Sequence, residues 1–207
     1  MRRPGFIARQ SSCPSGWLGR VIARIMARET TVENALALRL LDPRPQDVVL
    51  EIGFGHGRVI AELASHCSQG SVRGLDSSPT MVQMATRLNQ ATVDRGLVQL
   101  DTGDSSALPY ASDMFDCVLT VHTIYFWSQP LDHLREVLRV LKPGGKVVVG
   151  FKPDSERFRS AFPASVYRFR SQEQIRDLLF ATGFKRIEEI PPSAATRDVA
   201  FVTGFRS

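Results

Sequence analysis

The stretch Glu51-Ile52-Gly53-Phe54-Gly55-His56-Gly57-Arg58 is the first place in this chain where residue types and spacing could do chemistry. Glycines at alternate positions let the backbone turn tightly and leave amide groups open to a ligand that a Cβ would keep away. The spacing is Gly-x-Gly-x-Gly, whereas a dinucleotide fingerprint needs Gly-x-Gly-x-x-Gly and meets Arg58 at its third glycine. About twenty residues further on, Asp76 ends the run Val72-Arg73-Gly74-Leu75-Asp76. A carboxylate at the carboxyl edge of a neighbouring strand can accept hydrogen bonds from both ribose hydroxyls of an adenosine. A helix N-cap would also use an aspartate here, and the glycine loop upstream tips the reading toward the ribose.

Such residues need a scaffold that places a loop at each strand end, and the hydrophobic pattern supplies one. Apolar residues at three-and-four spacing predict an amphipathic helix from Trp17 to about Met26 and a second from Val32 to Leu41, stopped by Pro43 and Pro45. Val48-Val49-Leu50-Glu51-Ile52 reads as a buried parallel strand. Helix-like and strand-like segments then alternate: a helix over 56–66, a strand over 72–75, and a helix over 79–93 capped by Ser77 or Ser78 with Pro79 in its first turn. Strands over 97–100 and 115–121, a helix over 130–141 ended by Lys142-Pro143-Gly144-Gly145, and a strand over 146–151 follow. This alternation predicts an α/β fold, a parallel sheet with helices on both faces. After a helix over 172–181, segments 184–190 and 199–205 read as a hairpin that adds an antiparallel strand.

Thr102-Gly103-Asp104-Ser105-Ser106-Ala107-Leu108-Pro109-Tyr110, followed by Asp113-Met114-Phe115-Asp116-Cys117-Val118, completes a pattern. With Val48 to Arg58, Gly74 to Met81, Gly103 to Tyr110, Phe115 to Val121 and Leu138 to Val149 in that order, the chain resembles the class I S-adenosylmethionine-dependent methyltransferases. The likeness is to the small methyltransferase-11-like branch, which includes quinone and other small-molecule enzymes. It implies a Rossmann-like three-layer sandwich whose seven-stranded sheet is mostly parallel with an antiparallel last strand, and S-adenosylmethionine as cofactor. Carried over by position, it implies that Glu51 and the backbone of Gly53, Gly55 and Gly57 line the methionine end. Asp76 would hold the ribose, Ser77 and Met81 would flank the adenine, Asp104 and Ser105 would reach its edge, and Val121 would close the list.

The fourth strand ends in Val121-His122-Thr123-Ile124-Tyr125-Phe126-Trp127, where related enzymes place residues that face the acceptor. Methyl transfer from a sulfonium is an in-line displacement, so alignment supplies much of the acceleration and a base is optional. Where the acceptor must lose a proton, His122 has a suitable unperturbed pKa and Tyr125 could orient the acceptor; a buried histidine satisfied by backbone fits the residue equally well. Acceptor access is expected between the leading helix, with Trp17 and Met26, and the segment from Phe151 to Arg170 with Phe162; one of Tyr125, Phe126 and Trp127 is expected to face the pocket, with Trp127 taken as the acceptor residue, and all three fit core aromatics equally well. Aromatics interleaved with Arg157, Arg159, Arg168 and Arg170 suit an aromatic or anionic small molecule; a solvated cap explains the same pattern.

Composition bounds the rest. At 207 residues, 43% hydrophobic and 23% charged, the chain has the balance of one globular domain. The expected division is a flexible tail over 1–16 and a methyltransferase domain over 17–207: cap helices 17–45, cofactor core 46–151, acceptor-side cap 152–170, and helix with hairpin 171–207. No apolar run reaches the roughly 18 residues that a membrane span needs. Cys13, Cys67 and Cys117 form no metal or disulfide pattern, so reduced thiols and a cytoplasmic protein without a metal are expected. The arginine-rich start, free of acid up to Glu29, would also fit a mitochondrial presequence. A net charge of +5 leaves room for an RNA or protein methyltransferase. Yet Val-His-Thr-Ile stands where enzymes that methylate base amino groups carry Asn/Asp-Pro-Pro-Tyr/Phe, so no nucleic acid partner is expected. A catalytically idle cofactor-binding protein is the other alternative.

Overall fold

The computed structural model describes residues 5–16, 19–20, 30–196 and 198–207. In chain order these form α1 (Gly5–Ser12), α2 (Thr31–Leu41), β1 (Val48–Ile52), α3 (Arg58–His66), β2 (Ser71–Asp76), α4 (Pro79–Leu88), α5 (Gln90–Asp94) and β3 (Val98–Thr102). Then come β4 (Phe115–Val121), α6 (Pro130–Val140), β5 (Leu141–Phe151), α7 (Glu156–Ala161), α8 (Gln172–Thr182), β6 (Lys185–Ile190) and β7 (Ala200–Phe205). The strands form one seven-stranded sheet in the order β3-β2-β1-β4-β5-β7-β6. Strands β1 to β5 pair in parallel, and β7 runs antiparallel between β5 and β6.

Period-two alternation within each strand splits the core into two layers. Val49, Val72, Leu119, Val148 and Phe201 face one side, where α2 and α3 bury Leu38, Leu41, Ile60 and Leu63 against them. Leu50, Ile52, Val118, Val147 and Val149 face the other, covered by Leu134 and Val137 of α6 and Ile175 and Leu179 of α8. At roughly 25 cal/mol per Å² of apolar surface removed from water, each such side chain contributes on the order of 2 kcal/mol. This two-sided burial explains why the strands read as continuous apolar runs.

Strand order reverses between β1 and β4. The chain winds outward from β1 to β3 and then returns to place β4 on the other side of β1, with Ile52 beside Thr120. At such a switch point the loops after the two strands diverge and leave a crevice beyond their carboxyl ends.

Three local departures, and one choice between two candidate caps, mark the chain. The expected helix over 79–93 breaks at Asn89, whose Nδ2 donates to the carbonyls of Gly57 and Ala85, each at 2.9 Å. Of the two candidate caps, Ser78 is the one used: its Oγ accepts the Met81 amide at 3.3 Å. The turn Lys142-Pro143-Gly144-Gly145 lies within β5, because Leu141 pairs with Phe115 before a register shift and the Gly144 amide donates to the Arg206 carbonyl. Where a flexible tail was expected, residues 5–12 form a helix with Ala8 fully buried, and Ser11 Oγ donates to the Ile7 carbonyl. The leading helix expected over 17–26 lies outside the described residues apart from Gly19 and Arg20.

Among the described residues, no helix is long and apolar enough to cross a membrane and no group of side chains could hold a metal. Cys67 and Cys117 are buried, Cys13 is exposed, and all three are free.

Candidate active site

The crevice at the switch point opens into a cavity of about 590 Å³, within the range of about 300–1,000 Å³ usual for small-molecule sites. The turn after β1 forms its floor. Gly55 has φ +56 with open space where a Cβ would stand, and its amide donates to Asp76 Oδ2 at 2.9 Å. Gly53 also lines the cavity, and its amide is tied to the Leu75 carbonyl at 2.7 Å.

Gly57 does something else. Its φ is +88, and an added Cβ would lie 2.5 Å from the Cβ of Ala85, so it lets α3 pack on α4 and does not reach the cavity. Of the three glycines expected at a ligand, Gly53 and Gly55 border the cavity and Gly57 packs α3 on α4.

Glu51 and Asp76 stand side by side and buried. Asp76 is held by the amides of Gly55 and Ser78, both at 2.9 Å, yet burial still pushes its carboxyl up to about 6. Glu51 has less help: its Oε2 finds no hydrogen-bond partner among the described residues. Burial, then the charge of Asp76, raise its carboxyl to about 8. A buried carboxylate without a partner is costly, and a bound cation or hydroxyl donor at this place would relieve it.

Ser77 and Met81 border the cavity on the β2 side, and Asp104 and Ser105 on the β3 side. Asp104 is mostly exposed; the Ser106 amide donating to its Oδ1 at 2.9 Å holds it below the usual carboxylate range. Ser105 Oγ lies 2.8 Å from His133 Nδ1, and the His133 ring stacks on Trp127 with centroids 4.6 Å apart. His133 lines the cavity and escaped the sequence reading. Its position beside Leu134 on the buried stripe of α6 was the one signal for it, and that signal fits a core residue as well.

At the end of β4, Val121, His122, Phe126 and Trp127 line the cavity. His122 takes φ +60, a left-handed conformation that an L-residue adopts at a cost of about 1–3 kcal/mol. Its amide donates to the Gly150 carbonyl at 2.8 Å, which fixes the bend. Tyr125 does not line the cavity: it sits behind His122, with its hydroxyl 3.1 Å from His122 Nδ1 and accepting the Lys152 amide. Burial, then the charge of Lys152, lower the His122 imidazole to about 4, so the ring is neutral at pH 7.

The expected acceptor residues divide. Trp127 forms wall. Phe162 does not reach the cavity but packs on Tyr167 at 4.8 Å in a cluster with Phe158 and Phe169. Trp17 and Met26 lie outside the described residues. Arginines of the 151–170 segment are engaged by the protein: Arg157 with Asp198, Arg159 with Asp154, and Arg170 with the Ile124 and Trp127 carbonyls. Arg170 thereby ties that segment to the turn after β4, while Arg157 and Arg159 form ion pairs at the surface. From the N-terminal side, Ser11, Ser12 and Pro14 border the cavity instead, and the Pro14 carbonyl accepts from Ser78 Oγ. No hydrophobic period marks those residues, so nothing in their pattern pointed to them.

Comparison with known proteins agrees with this geometry. The family described as "Methyltransferase domain" matches residues 50–149, from the middle of β1 almost to the end of β5. This match and the relatives that follow support a class I S-adenosylmethionine-dependent methyltransferase. It is 28% identical to the uncharacterized methyltransferase YdaC of Bacillus subtilis over 79% of this chain and 86% of that one. To the ubiquinone/menaquinone biosynthesis C-methyltransferase UbiE of Geotalea daltonii it is 27% identical, over 73% and 76%. An uncharacterized 37.1 kDa protein in transposon TN4556 of Streptomyces fradiae is 35% identical over 63% of this chain, which spans 37% of that protein. A SAM-dependent methyltransferase of Aquifex aeolicus shares the fold with a TM-score of 0.68 at 22% identity, covering 86% of this chain and 90% of that one. Methyltransferases of this class use S-adenosylmethionine, and the orphaned Glu51 oxygen, the open face of Gly55 and the Asp76 carboxylate fit that cofactor. When bound, the cofactor supplies an electrophilic methyl group on a sulfonium.

Proposed function

We propose that this methyltransferase acts on a small molecule, taken up beside the end of β4. The observation that carries this reading is the shape of the cavity: it is a partly open pocket of about 590 Å³, bordered by Phe126 and Trp127 and by Ser11, Ser12 and Asn34. Such a space suits a compact acceptor with an aromatic or otherwise flat face. Relatives named for ubiquinone/menaquinone biosynthesis and for 2-methyl-6-phytyl-1,4-hydroquinone support an acceptor with a flat aromatic head.

Within this reading Glu51 and the turn at Gly53 and Gly55 hold the methionine end, and Asp76 accepts the ribose hydroxyls. Ser77 and Met81 border the adenine, Asp104 and Ser105 meet its edge, and Val121 closes the cavity under the sulfonium. His122, Phe126 and Trp127 then orient the acceptor for in-line attack and exclude water.

Incubating the protein with candidate metabolites and cofactor labelled in the methyl group tests the proposal directly. Label appearing in a low-molecular-weight product is the expected result. Label found only in RNA or protein of a whole-cell extract would reject a small acceptor. Calorimetric titration with S-adenosylhomocysteine tests the cofactor site by itself.

A further inference from the structure

The environment of His122 fixes more than its position. Tyr125 Oη accepts the Lys152 amide, and its other hydrogen-bond partner among the described residues is His122 Nδ1 at 3.1 Å. A phenol has one proton to give. If the ring proton sat on Nδ1 and pointed at the oxygen, the phenol proton of a buried tyrosine would have no acceptor among the described residues. Buried donors avoid that state. The hydroxyl therefore donates to Nδ1, and a neutral imidazole bonded in this way carries its own proton on Nε2. No described residue bonds Nε2, while the ring lines the cavity.

We propose that His122 acts as a neutral hydrogen-bond donor to the methyl acceptor, its Nε2 proton offered to a lone pair next to the reacting atom, with Tyr125 as the positioning residue that fixes the tautomer. The left-handed backbone at His122, held by the Gly150 carbonyl, keeps the ring aimed at the cavity against an intrinsic conformational cost. The groups around it keep it uncharged. Lys152 stands at the end of β5 and opposes a second positive charge; Tyr125 faces it from the turn after β4, and Tyr167 and Glu33 act on Tyr125 from farther out. A ring already protonated at Nε2 and accepting at Nδ1 has no free site for the acceptor's proton. The acceptor class that follows carries an oxygen or nitrogen lone pair at or beside its nucleophilic atom, and it reaches the site able to attack without losing a proton to His122.

The tautomer claim stands apart from the methyltransferase reading; the role of the Nε2 proton rests on it. Long-range proton–nitrogen spectra of the ¹⁵N-labelled protein, with and without S-adenosylhomocysteine, read the ring directly. One of the four histidine patterns is assigned to His122 by its loss in His122→Gln. Expected is a pyridine-like Nδ1 and a pyrrole-like Nε2, unchanged from pH 5.5 to 8.5, moving toward a tautomer mixture in Tyr125→Phe. A proton on Nδ1, or titration near the ordinary histidine value, overturns the proposal whether or not Tyr125→Phe folds. Calorimetry on the same samples separates the two claims: absent binding of S-adenosylhomocysteine would sink the cofactor assignment and leave the tautomer result intact. With an acceptor from the labelled-methyl screen, His122→Gln, which keeps an N–H donor and cannot take a proton, should stay within about tenfold of the parent. A loss of about 100-fold or more is the signature of a general base and would reject the donor role.

Discussion

The Asp76 carboxylate ties the end of β2 to the turn after β1, accepting the Gly55 amide at 2.9 Å across 21 residues of sequence. Its second oxygen takes the Ser78 amide at the same distance, so one side chain shapes both loops that border the cavity. Replacing Asp76 with alanine removes both bonds and the proposed ribose acceptor. Hydrogen bonds to a charged group are worth about 1.5–3 kcal/mol each, so affinity for S-adenosylhomocysteine should fall by more than tenfold and the melting temperature should drop. Calorimetry and thermal unfolding check the two effects. Unchanged affinity would remove Asp76 from the cofactor site.

Glu51 gives the ligand-free protein a pH dependence with a definite sign. Its carboxyl rises from 4.5 to about 8 on folding, chiefly through burial and then through Asp76. A raised acid binds its proton more tightly in the folded state than in the unfolded one, so the folded state is favoured at low pH and that advantage is lost as pH climbs through this window. Between pH 5 and 8 the melting temperature should fall more steeply in the parent than in Glu51→Gln. Parallel curves for the two proteins would refute the assignment.

Gly55 and Gly57 look alike in sequence and should fail differently. In Gly57→Ala the new methyl meets Ala85 at 2.5 Å on a backbone with φ +88, so stability should fall by about 2 kcal/mol or more. Gly55→Ala places a methyl in open space within the cavity at φ +56. A smaller stability loss, about 1–2 kcal/mol, should accompany a larger loss of S-adenosylhomocysteine binding. Denaturant unfolding paired with calorimetry separates the two; matching profiles would contradict the distinction.

Ser78 carries two duties. Its Oγ caps α4 through the Met81 amide, and its hydroxyl donates to the Pro14 carbonyl, which anchors the segment after α1 at the cavity rim. Ser78→Ala should cost about 1 kcal/mol from the lost cap and should also speed tryptic cleavage within residues 1–20. S-adenosylhomocysteine should slow that cleavage in the parent protein. Equal cleavage rates in parent and variant would mean that the anchor does not hold the segment.

What could be read without coordinates was the local and the periodic. Strands such as β1 and β4 announce themselves as apolar runs because both faces of a parallel sheet are buried, and α6 by its three-and-four spacing. The turn after Ile52 follows from its glycines, and Asp76 from its place at a strand end. Only the tertiary structure decided which glycine faces the cavity and which faces a helix, since Gly57 faces Ala85 across 28 positions. It also placed His133 against Ser105, set Tyr125 behind His122 to fix where the ring proton lies, and brought Pro14 to Ser78. Periodicity records how often a residue must face the core. It holds no record of which distant side chain will be waiting there, because that depends on the packing of elements that the chain brings together only when it folds.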